Sequence, residues 1–231
     1  MALARLSLGS LFLGTACLAC GAPGPSPCDR CVAQLHPAPE FTVPVGLDRC
    51  RALLSYEGVG RELVAGLKYH NRRTGLPRLA EAMAALVDPA STAGSPPDLV
   101  TWAPTTTTRR ARRGYDQAKL LAVEVARRLR LPVRPLLVRR PGPPQTGRPL
   151  AGRQGGARFV APRVVRGRVL VVDDVLTTGA TLVAAADALR AAGAIEVHGL
   201  LLARTPLKAP LRPAENADDM QRMPIPPARD T

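Results

Sequence analysis

Residues 169–181 read VLVVDDVLTTGAT, an apolar run followed by two acids and a turn of small and hydroxylated residues. Residues 169–172 have the composition of a buried strand, and residues 181–192, closed by Gly193, have the apolar spacing of a helix. A second apolar run at 195–202 predicts a further strand. A strand, a helix and a strand in this order form a parallel βαβ unit, which is right-handed in almost all proteins. The stretch therefore predicts an α/β fold.

The two acids and the turn after them have separate roles in such a fold. Ligands of open α/β sheets bind at the carboxyl ends of the strands, where Asp173 and Asp174 can accept hydrogen bonds from two neighbouring hydroxyl groups. The turn and the start of the helix offer backbone N–H groups to a phosphate. The residues of this turn are Thr177, Thr178, Gly179, Ala180 and Thr181. The alternative is an ordinary strand before a capped helix, but a sheet interior has little use for adjacent carboxylates. The pattern therefore favours a site for ribose 5-phosphate.

Four cysteines near the N-terminus are spaced as metal ligands. They are Cys17, Cys20, Cys28 and Cys31, in the pattern Cys-x2-Cys-x7-Cys-x2-Cys. Two such pairs can close one tetrahedral site, for which Zn²⁺ is the expected ion, and four thiolates leave no position for a reactive water. The pattern predicts a structural zinc site, with disulfides or unmetallated cysteines as the alternatives. Cys50 is predicted to be an unpaired buried thiol.

Composition limits the number of domains and the kinds of partner. The chain of 231 residues can bury one full core and a small appendage. We expect a zinc-binding module at 1–40, one main domain at 41–208 and a disordered tail at 209–231. The charge of +14 indicates anionic partners. Because aromatic residues make up only 3% of the chain, a platform that stacks single-stranded bases is disfavoured.

The sequence also bears on localisation and on the remaining elements. No apolar run is long enough for a membrane-spanning helix, so we expect a cytoplasmic protein. A faint likeness of residues 2–16 to a secretory signal is the alternative. The further predicted elements are two short helices within 58–86, a buried strand at 99–102, a helix at 118–129 and a mobile basic loop at 139–158.

The stretch at 169–181 resembles the motif with which type I phosphoribosyltransferases bind phosphoribosyl pyrophosphate (PRPP). The resemblance implies a mostly parallel sheet flanked by helices, and Mg²⁺ bound together with PRPP. It also implies that Asp173 and Asp174 hold the ribose hydroxyls at the catalytic centre, while residues 177–181 hold the 5-phosphate. Purine-salvage relatives carry an acid at the position of Thr177, and its absence here argues against purine salvage.

Further segments resemble the ComF family, which places a four-cysteine module before a PRPP motif. Residues 66–70 (GLKYH) resemble its lysine-tyrosine segment, and residues 113–118 (RGYDQA) resemble its Arg-Gly-Phe-Asn-Gln-Ala signature. The positions of its basic loop are matched by Gln145, Leu150 and Arg153. Two departures are the segment 102–105 (WAPT), where relatives have Val-Pro-Val-Pro, and an Asp in place of the Asn of the signature.

The ComF resemblance implies a role in natural competence. Lys68, Arg113 and Arg153 are candidate PRPP contacts, with a solvated basic surface as the alternative for each. We expect transfer of phosphoribose from PRPP to an unidentified acceptor, linked to DNA uptake. The alternative is a non-catalytic PRPP-sensing adaptor in the import of single-stranded DNA. PRPP is the expected ligand, and single-stranded DNA or the DNA-uptake machinery is a further candidate partner.

Overall fold

The computed structural model describes residues 16–69, 74–87, 95–140 and 157–206. In chain order the elements are α1 (Asp29–Val32), β1 (Arg49–Ser55), α2 (Gly58–Tyr69), α3 (Leu76–Ala85), β2 (Leu99–Trp102), α4 (Thr107–Arg113), α5 (Gln117–Leu129), β3 (Val138–Arg140), β4 (Arg158–Val160), β5 (Arg168–Leu176), α6 (Ala180–Ala191) and β6 (Glu196–Arg204). No helix of the described ranges is both long and apolar enough to cross a membrane.

Four parallel strands form the main sheet in the order β1-β6-β5-β2. The two central strands are the longest and are apolar on both faces, as expected for parallel strands covered by helices on both sides. One face packs against α2, α3 and α5, and the other packs against α6 and the antiparallel pair β3–β4. This confirms the predicted fold class, a parallel sheet flanked by helices.

Most predicted elements are present. The two short helices within 58–86 are α2 and α3, the strand at 99–102 is β2, and the helix at 118–129 is α5. The βαβ unit is formed by β5, α6 and β6, and the two strands are parallel. Two predictions need correction. β5 does not end before the acids but continues to Leu176, because β6 is equally long and pairs with it as far as Arg204.

The second correction concerns the predicted basic loop at 139–158. Its two ends are strands, since Arg139 and Arg140 of β3 pair with Phe159 and Arg158 of β4. Residues 141–156 lie outside the described residues, as do 1–15, 70–73, 88–94 and the predicted tail at 209–231. The sequence also gave no sign of β1, because Arg49 and Arg51 interrupt its apolar pattern at the edge of the sheet.

Short extended segments cover part of both edges of the sheet. At β2, the Val100 N–H donates to the Pro132 carbonyl, and the Arg134 N–H donates to the Val100 carbonyl. At β1, the Ala38 N–H donates to the Leu53 carbonyl, and the Ser55 N–H donates to the carbonyl of residue 36. The chain itself therefore supplies backbone partners for both outer strands.

The cysteine-containing segment contributes to the main core. The side chain of Leu18 is 1% exposed and belongs to the same apolar cluster as Leu63, Leu67 and Leu79 of α2 and α3. The Leu18 N–H donates to the Ser26 hydroxyl at 2.9 Å, and Arg78 of α3 donates to the Pro27 carbonyl at 2.8 Å. The segment is therefore packed on the helices that cover one face of the sheet.

Candidate functional site

A cavity of about 220 Å³ lies at the carboxyl end of β5. Its lining residues are Lys68, Ala103, Pro104, Thr105, Arg109, Arg113, Asp116, Gln117, Ala118, Arg139, Asp173, Asp174, Val175, Thr177 and Thr181. Six of these belong to the site predicted from the sequence, namely Lys68, Arg113, Asp173, Asp174, Thr177 and Thr181. Arg153, the remaining predicted cation, lies outside the described residues, together with Gln145 and Leu150.

The two acids stand where β5 loses one of its neighbours. β2 ends at Trp102, which pairs with Val172, so the next two residues of β5 have a strand on one side only. Successive side chains of a strand point to opposite faces. Asp174 is on the face covered by α2, where its Oδ2 lies 2.9 Å from the Lys68 Nζ. Asp173 and Asp174 nevertheless line one cavity, because that cavity opens beyond the end of β2.

The charge on Asp173 is opposed by its surroundings. Burial raises the pKa of the Asp173 carboxyl well above its ordinary value, and the nearby charge of Asp174 raises it further. The Asp174 N–H, which donates to the Asp173 Oδ1 at 2.8 Å, and the charge of Lys68 act in the opposite direction. Hydrogen-bond donors supplied by a ligand would therefore stabilise the ionised form of the Asp173 carboxyl.

The turn before α6 is open to solvent on the side of the cavity. Thr177, Thr178 and Ala180 are exposed, whereas Gly179 is buried and has a φ of 82°. A Cβ at Gly179 would lie 3.1 Å from the Pro44 Cγ, so Pro44 packs closely against the turn. Because the N-terminus of α6 is directed out of this turn, its N–H groups can meet an anion.

Arg204 is a site-associated residue that the sequence did not reveal. It ends β6, is 8% exposed, and donates from Nη1 to the Thr177 carbonyl at 2.9 Å and to the Thr205 carbonyl at 2.7 Å. Its guanidinium lies 5.4 Å from the ring centroid of Phe41. Arg204 therefore holds the carbonyl of Thr177, at the start of the turn, in place. The only available signal was an arginine directly after the apolar residues 200–203.

A basic wall faces the acids across the cavity, formed by Arg109, Arg113 and Arg139. Thr106 caps the N-terminus of α4, and its hydroxyl accepts from the Arg109 N–H at 3.2 Å. None of the residues of α4 is buried. Arg113 Nη1 donates to the Gln117 Oε1 at 3.1 Å. The geometry therefore places cations where negative charge on a ligand would be stabilised.

Asp116 connects this wall to the rest of the site. Its Oδ2 accepts from the Thr105 N–H at 3.0 Å, and its Oδ1 accepts from the Lys119 N–H at the start of α5. Burial raises the pKa of the Asp116 carboxyl, although the backbone N–H groups that it accepts from lower it. Asp116 therefore holds the end of β2 and the start of α5 together.

A larger cleft of about 860 Å³ adjoins the cavity and shares Pro104, Thr105, Asp116 and Arg139 with it. Its other walls come from α4, the start of α5, and the β3–β4 pair. Trp102 lies in this cleft, with the Lys119 Nζ 5.6 Å from its ring centroid. Trp102 thus forms part of the wall of this cleft.

The four predicted metal ligands come together. The sulfur atoms of Cys17, Cys20, Cys28 and Cys31 all lie within 4.8 Å of one another. Cys20 Sγ and Cys28 Sγ are 3.7 Å apart, close to the ~3.8 Å expected between ligands of a tetrahedral zinc with Zn–S bonds of about 2.3 Å. The donor set therefore fits Zn²⁺ and favours a metal site over disulfides.

The surroundings of the thiols also suit a metal. Burial raises the pKa of Cys17, but the N–H groups of Cys20, Cys28 and Ala19 outweigh it and bring the pKa to about 6. Burial and the neighbouring sulfurs raise the pKa of Cys31 to about 12. Without a cation the four sulfurs would compete for ionisation, and a divalent cation would remove that competition.

One prediction and one further observation concern single buried residues. Cys50 is buried, and burial raises the pKa of its thiol to about 12, as expected for an unreactive core cysteine. His198 is buried in β6 and its Nε2 lies 2.8 Å from the Glu196 Oε2, so it has the structural partner expected of a core histidine. His70 lies outside the described residues.

Comparison with known proteins identifies the class. Residues 117–221, which are less than half of the chain, match the family model described as phosphoribosyl transferase domain. The parallel sheet flanked by helices and this partial match support a phosphoribosyltransferase-like protein. No curated protein gives a sequence match.

Several solved structures show a partial likeness. Glutamine PRPP amidotransferase from B. subtilis is 26% identical with a TM-score of 0.38, covering 59% of this chain and 30% of its own. Orotate phosphoribosyltransferase from Aeropyrum pernix is 21% identical with a TM-score of 0.35, covering 72% of this chain and 74% of its own. Purine phosphoribosyltransferase from Pyrococcus horikoshii Ot3 is 20% identical with a TM-score of 0.31, covering 57% and 74%. The chain thus spans about 30% of the length of the amidotransferase.

Proposed function

We propose that this chain binds PRPP in the cavity at the end of β5 and transfers its phosphoribosyl group to an acceptor that is not yet identified. One observation carries the proposal: two carboxylates and an exposed turn at a helix N-terminus meet at a single cavity. The carboxylates would accept hydrogen bonds from the 2- and 3-hydroxyls of the ribose. Residues 177–181 would bind the 5-phosphate through backbone N–H groups and threonine hydroxyls.

The basic wall supports the second half of the proposal. In phosphoribosyl transfer, the bond between the anomeric carbon and the pyrophosphate oxygen breaks, and pyrophosphate departs with the electron pair. A nucleophilic atom of the acceptor then bonds to that carbon and releases a proton. Arg109, Arg113 and Arg139 would stabilise the charge that develops on pyrophosphate. Asp173 and Asp174 offer the oxygen ligands that Mg²⁺ prefers, and a bound Mg²⁺ would supply further charge neutralisation to the pyrophosphate.

The binding step is tested by calorimetry with PRPP and Mg²⁺ on the full chain. We expect binding by the wild type and a loss of at least about 100-fold for the double variant Asp173→Asn, Asp174→Asn, because two charge-assisted hydrogen bonds are removed. Asp187→Asn, an exposed acid of α6, is the matched control and should bind as the wild type does. Equal affinity of the double variant and the control would refute the proposed site.

Turnover separates the enzyme from the alternative, a PRPP-sensing adaptor without chemistry. The departure at 102–105 favours keeping this alternative, because Trp102 lines the cleft beside the cavity. Labelled PRPP and Mg²⁺ are incubated with small-molecule extracts, and released pyrophosphate is measured against the double variant. Release above that background supports transfer. PRPP binding without release in any extract fraction would support the adaptor and contradict transfer.

We further propose that the chain is ComF-like and acts in the cytoplasm in natural competence, on the basis of the segments at 66–70 and 113–118. Lys68 and Arg113, the two residues of these segments that were predicted to contact PRPP, both line the cavity. The test is transformation frequency in a deletion strain that carries the wild-type or the double-variant gene. Wild-type frequency in the deletion strain itself would exclude this role.

A further inference from the structure

The four-cysteine segment and the cavity are joined by one helix. α2 runs from Gly58 to Tyr69 and carries Lys68 in its last turn. Lys68 forms the 2.9 Å ion pair with Asp174, and the carbonyl of the preceding residue, Leu67, accepts from the Tyr115 hydroxyl at 2.7 Å. The position of this last turn therefore sets where a positive charge stands in the cavity.

The same turn is in contact with the cysteine segment. Gly66 lies against the backbone of Leu18, so closely that a Cβ at Gly66 would overlap the Leu18 carbonyl oxygen. Gly75, directly before α3, lies against the other end of the same residue, and a Cβ there would overlap the Leu18 Cδ1. Leu18 thus occupies a notch between the end of α2 and the start of α3, and glycine is the residue that leaves room for it.

The conformation of Leu18 depends in turn on the cysteines around it. Leu18 stands between Cys17 and Cys20, two of the four candidate ligands. Its N–H donates to Ser26, and the Cys28 N–H donates to the Cys17 sulfur at 3.4 Å. A metal that ties the two cysteine pairs together would fix this loop, and its loss would release the loop from both ends. Buried, closely packed contacts transmit such a change instead of absorbing it.

We propose that the metal-loaded cysteine segment is a positioning element for Lys68, acting through the contact of Leu18 with Gly66. Metal loading then holds the Lys68–Asp174 ion pair in place. Release of the metal makes the last turn of α2 less ordered, and the position of the Lys68 ammonium in the cavity becomes less ordered with it. Leu18 and Gly66 are positioning residues, since neither lines the cavity.

The first test needs no ligand. Hydrogen exchange is measured on the full chain with its metal, with zinc content determined, and again after a chelator has removed the metal. We expect the largest increase in exchange in α2 and at residues 173–176, and a smaller increase in α6 on the opposite face of the sheet, where only the lower global stability acts. Unchanged exchange in α2 after complete metal loss would overturn the proposal. An equal loss of protection in α2 and α6 would also overturn it, because the metal would then act only through the stability of the whole fold.

Matched variants locate the contact. Gly66→Ala and Gly60→Ala both place a methyl group of α2 against a carbonyl oxygen, that of Leu18 in one case and that of Ser55 in the other. We expect Gly66→Ala to reproduce the exchange pattern of the metal-free chain while Gly60→Ala does not. Identical patterns in the two variants would contradict a specific path through Leu18.

A second test rests on the proposed function. PRPP affinity in the presence of Mg²⁺ is measured with and without the metal of the cysteine segment, in the wild type and in Lys68→Met. We expect metal removal to weaken binding by at least about fivefold in the wild type, the lower end of coupling between two sites, and to have no further effect in Lys68→Met. An equal loss in both would show that Lys68 is not the link. If the metal-loaded wild type does not bind PRPP, the proposed function fails, while the exchange test still decides this inference.

Discussion

Asp173 is harder to ionise in the folded protein than in the unfolded chain. Burial and the charge of Asp174 raise its pKa, so the folded protein retains a proton that the unfolded chain releases. Stability contributed by this proton is present below the ordinary pKa of an aspartate, about 3.9, and is lost as the pH rises through the raised value. Above the ordinary pKa, the Asp173 carboxyl therefore lowers the stability of the fold relative to its stability at low pH.

Asp173→Asn is predicted to stabilise the protein while it removes function. Asparagine keeps an oxygen for the Asp174 N–H but carries no charge, so we expect a higher urea midpoint than the wild type at pH 8. The difference should shrink as the pH falls toward 4, where both side chains are neutral. Urea unfolding at several pH values checks this, and a lower midpoint for Asp173→Asn at pH 8 would contradict it.

Site residues could be predicted only where the residues that act together lie close to one another in the sequence. The acids, the turn and the four cysteines each lie within a short segment, and their spacing alone indicates which atoms can meet a ligand. Arg204 could not be found in this way. It reaches the Thr177 carbonyl from the end of β6, two residues beyond the strand predicted at 195–202, and only the register of β5 and β6 shows that the two residues meet.

At the scale of elements, α5 depends on its N-cap. Asp116 caps the helix and also accepts from the Thr105 N–H, which ties α5 to the end of β2. We predict that Asp116→Ala lowers the free energy of unfolding by about 1–2 kcal/mol, the usual range for the loss of a cap. Asp116→Asn should lose less, because its single oxygen keeps one of the two bonds and the buried charge is gone. Chemical denaturation measures both, and equal losses would argue against the capping role.

The turn before α6 depends on support from β6. Arg204 holds the Thr177 carbonyl, so we predict that Arg204→Met weakens binding of PRPP by about tenfold, through a turn that is less ordered before the ligand arrives. Arg190→Met is the matched control. Arg190 is in the last turn of α6, away from the cavity, and pairs with Asp48. Calorimetry on both variants is the measurement, and a comparable loss in the control would show a general effect on the fold.

Elements whose apolar residues recur with one clear period could be predicted from the sequence. Elements whose formation depends on tertiary contacts could not. α5 and the βαβ unit follow from apolar spacing alone. β1 is an edge strand with arginines at 49 and 51, which interrupt the continuous apolar run that is typical of a buried parallel strand. The predicted loop at 139–158 includes part of β3 and the first residue of β4, because three-residue strands among glycines and prolines have no pattern of their own.

At the scale of the whole molecule, the cysteine segment and the main domain share a core. Leu18 is buried in the cluster that contains α2, α3 and the strands β5 and β6. We predict that a chelator lowers the midpoint of a single cooperative unfolding transition and does not produce a separate early transition. Calorimetric scans with and without the chelator check this. Two resolved transitions would indicate that the cysteine segment folds independently of the main domain.

The segments that lie along the outer strands also limit how copies of this chain could associate. Another strand could pair with Val100 of β2 only after residues 132–134 had been displaced, because their backbone groups already use that edge. Edge-to-edge growth is the common route by which open sheets polymerise. Destabilising substitutions near Pro132 would therefore be the place to look for aggregation, even though they lie far from any chemistry.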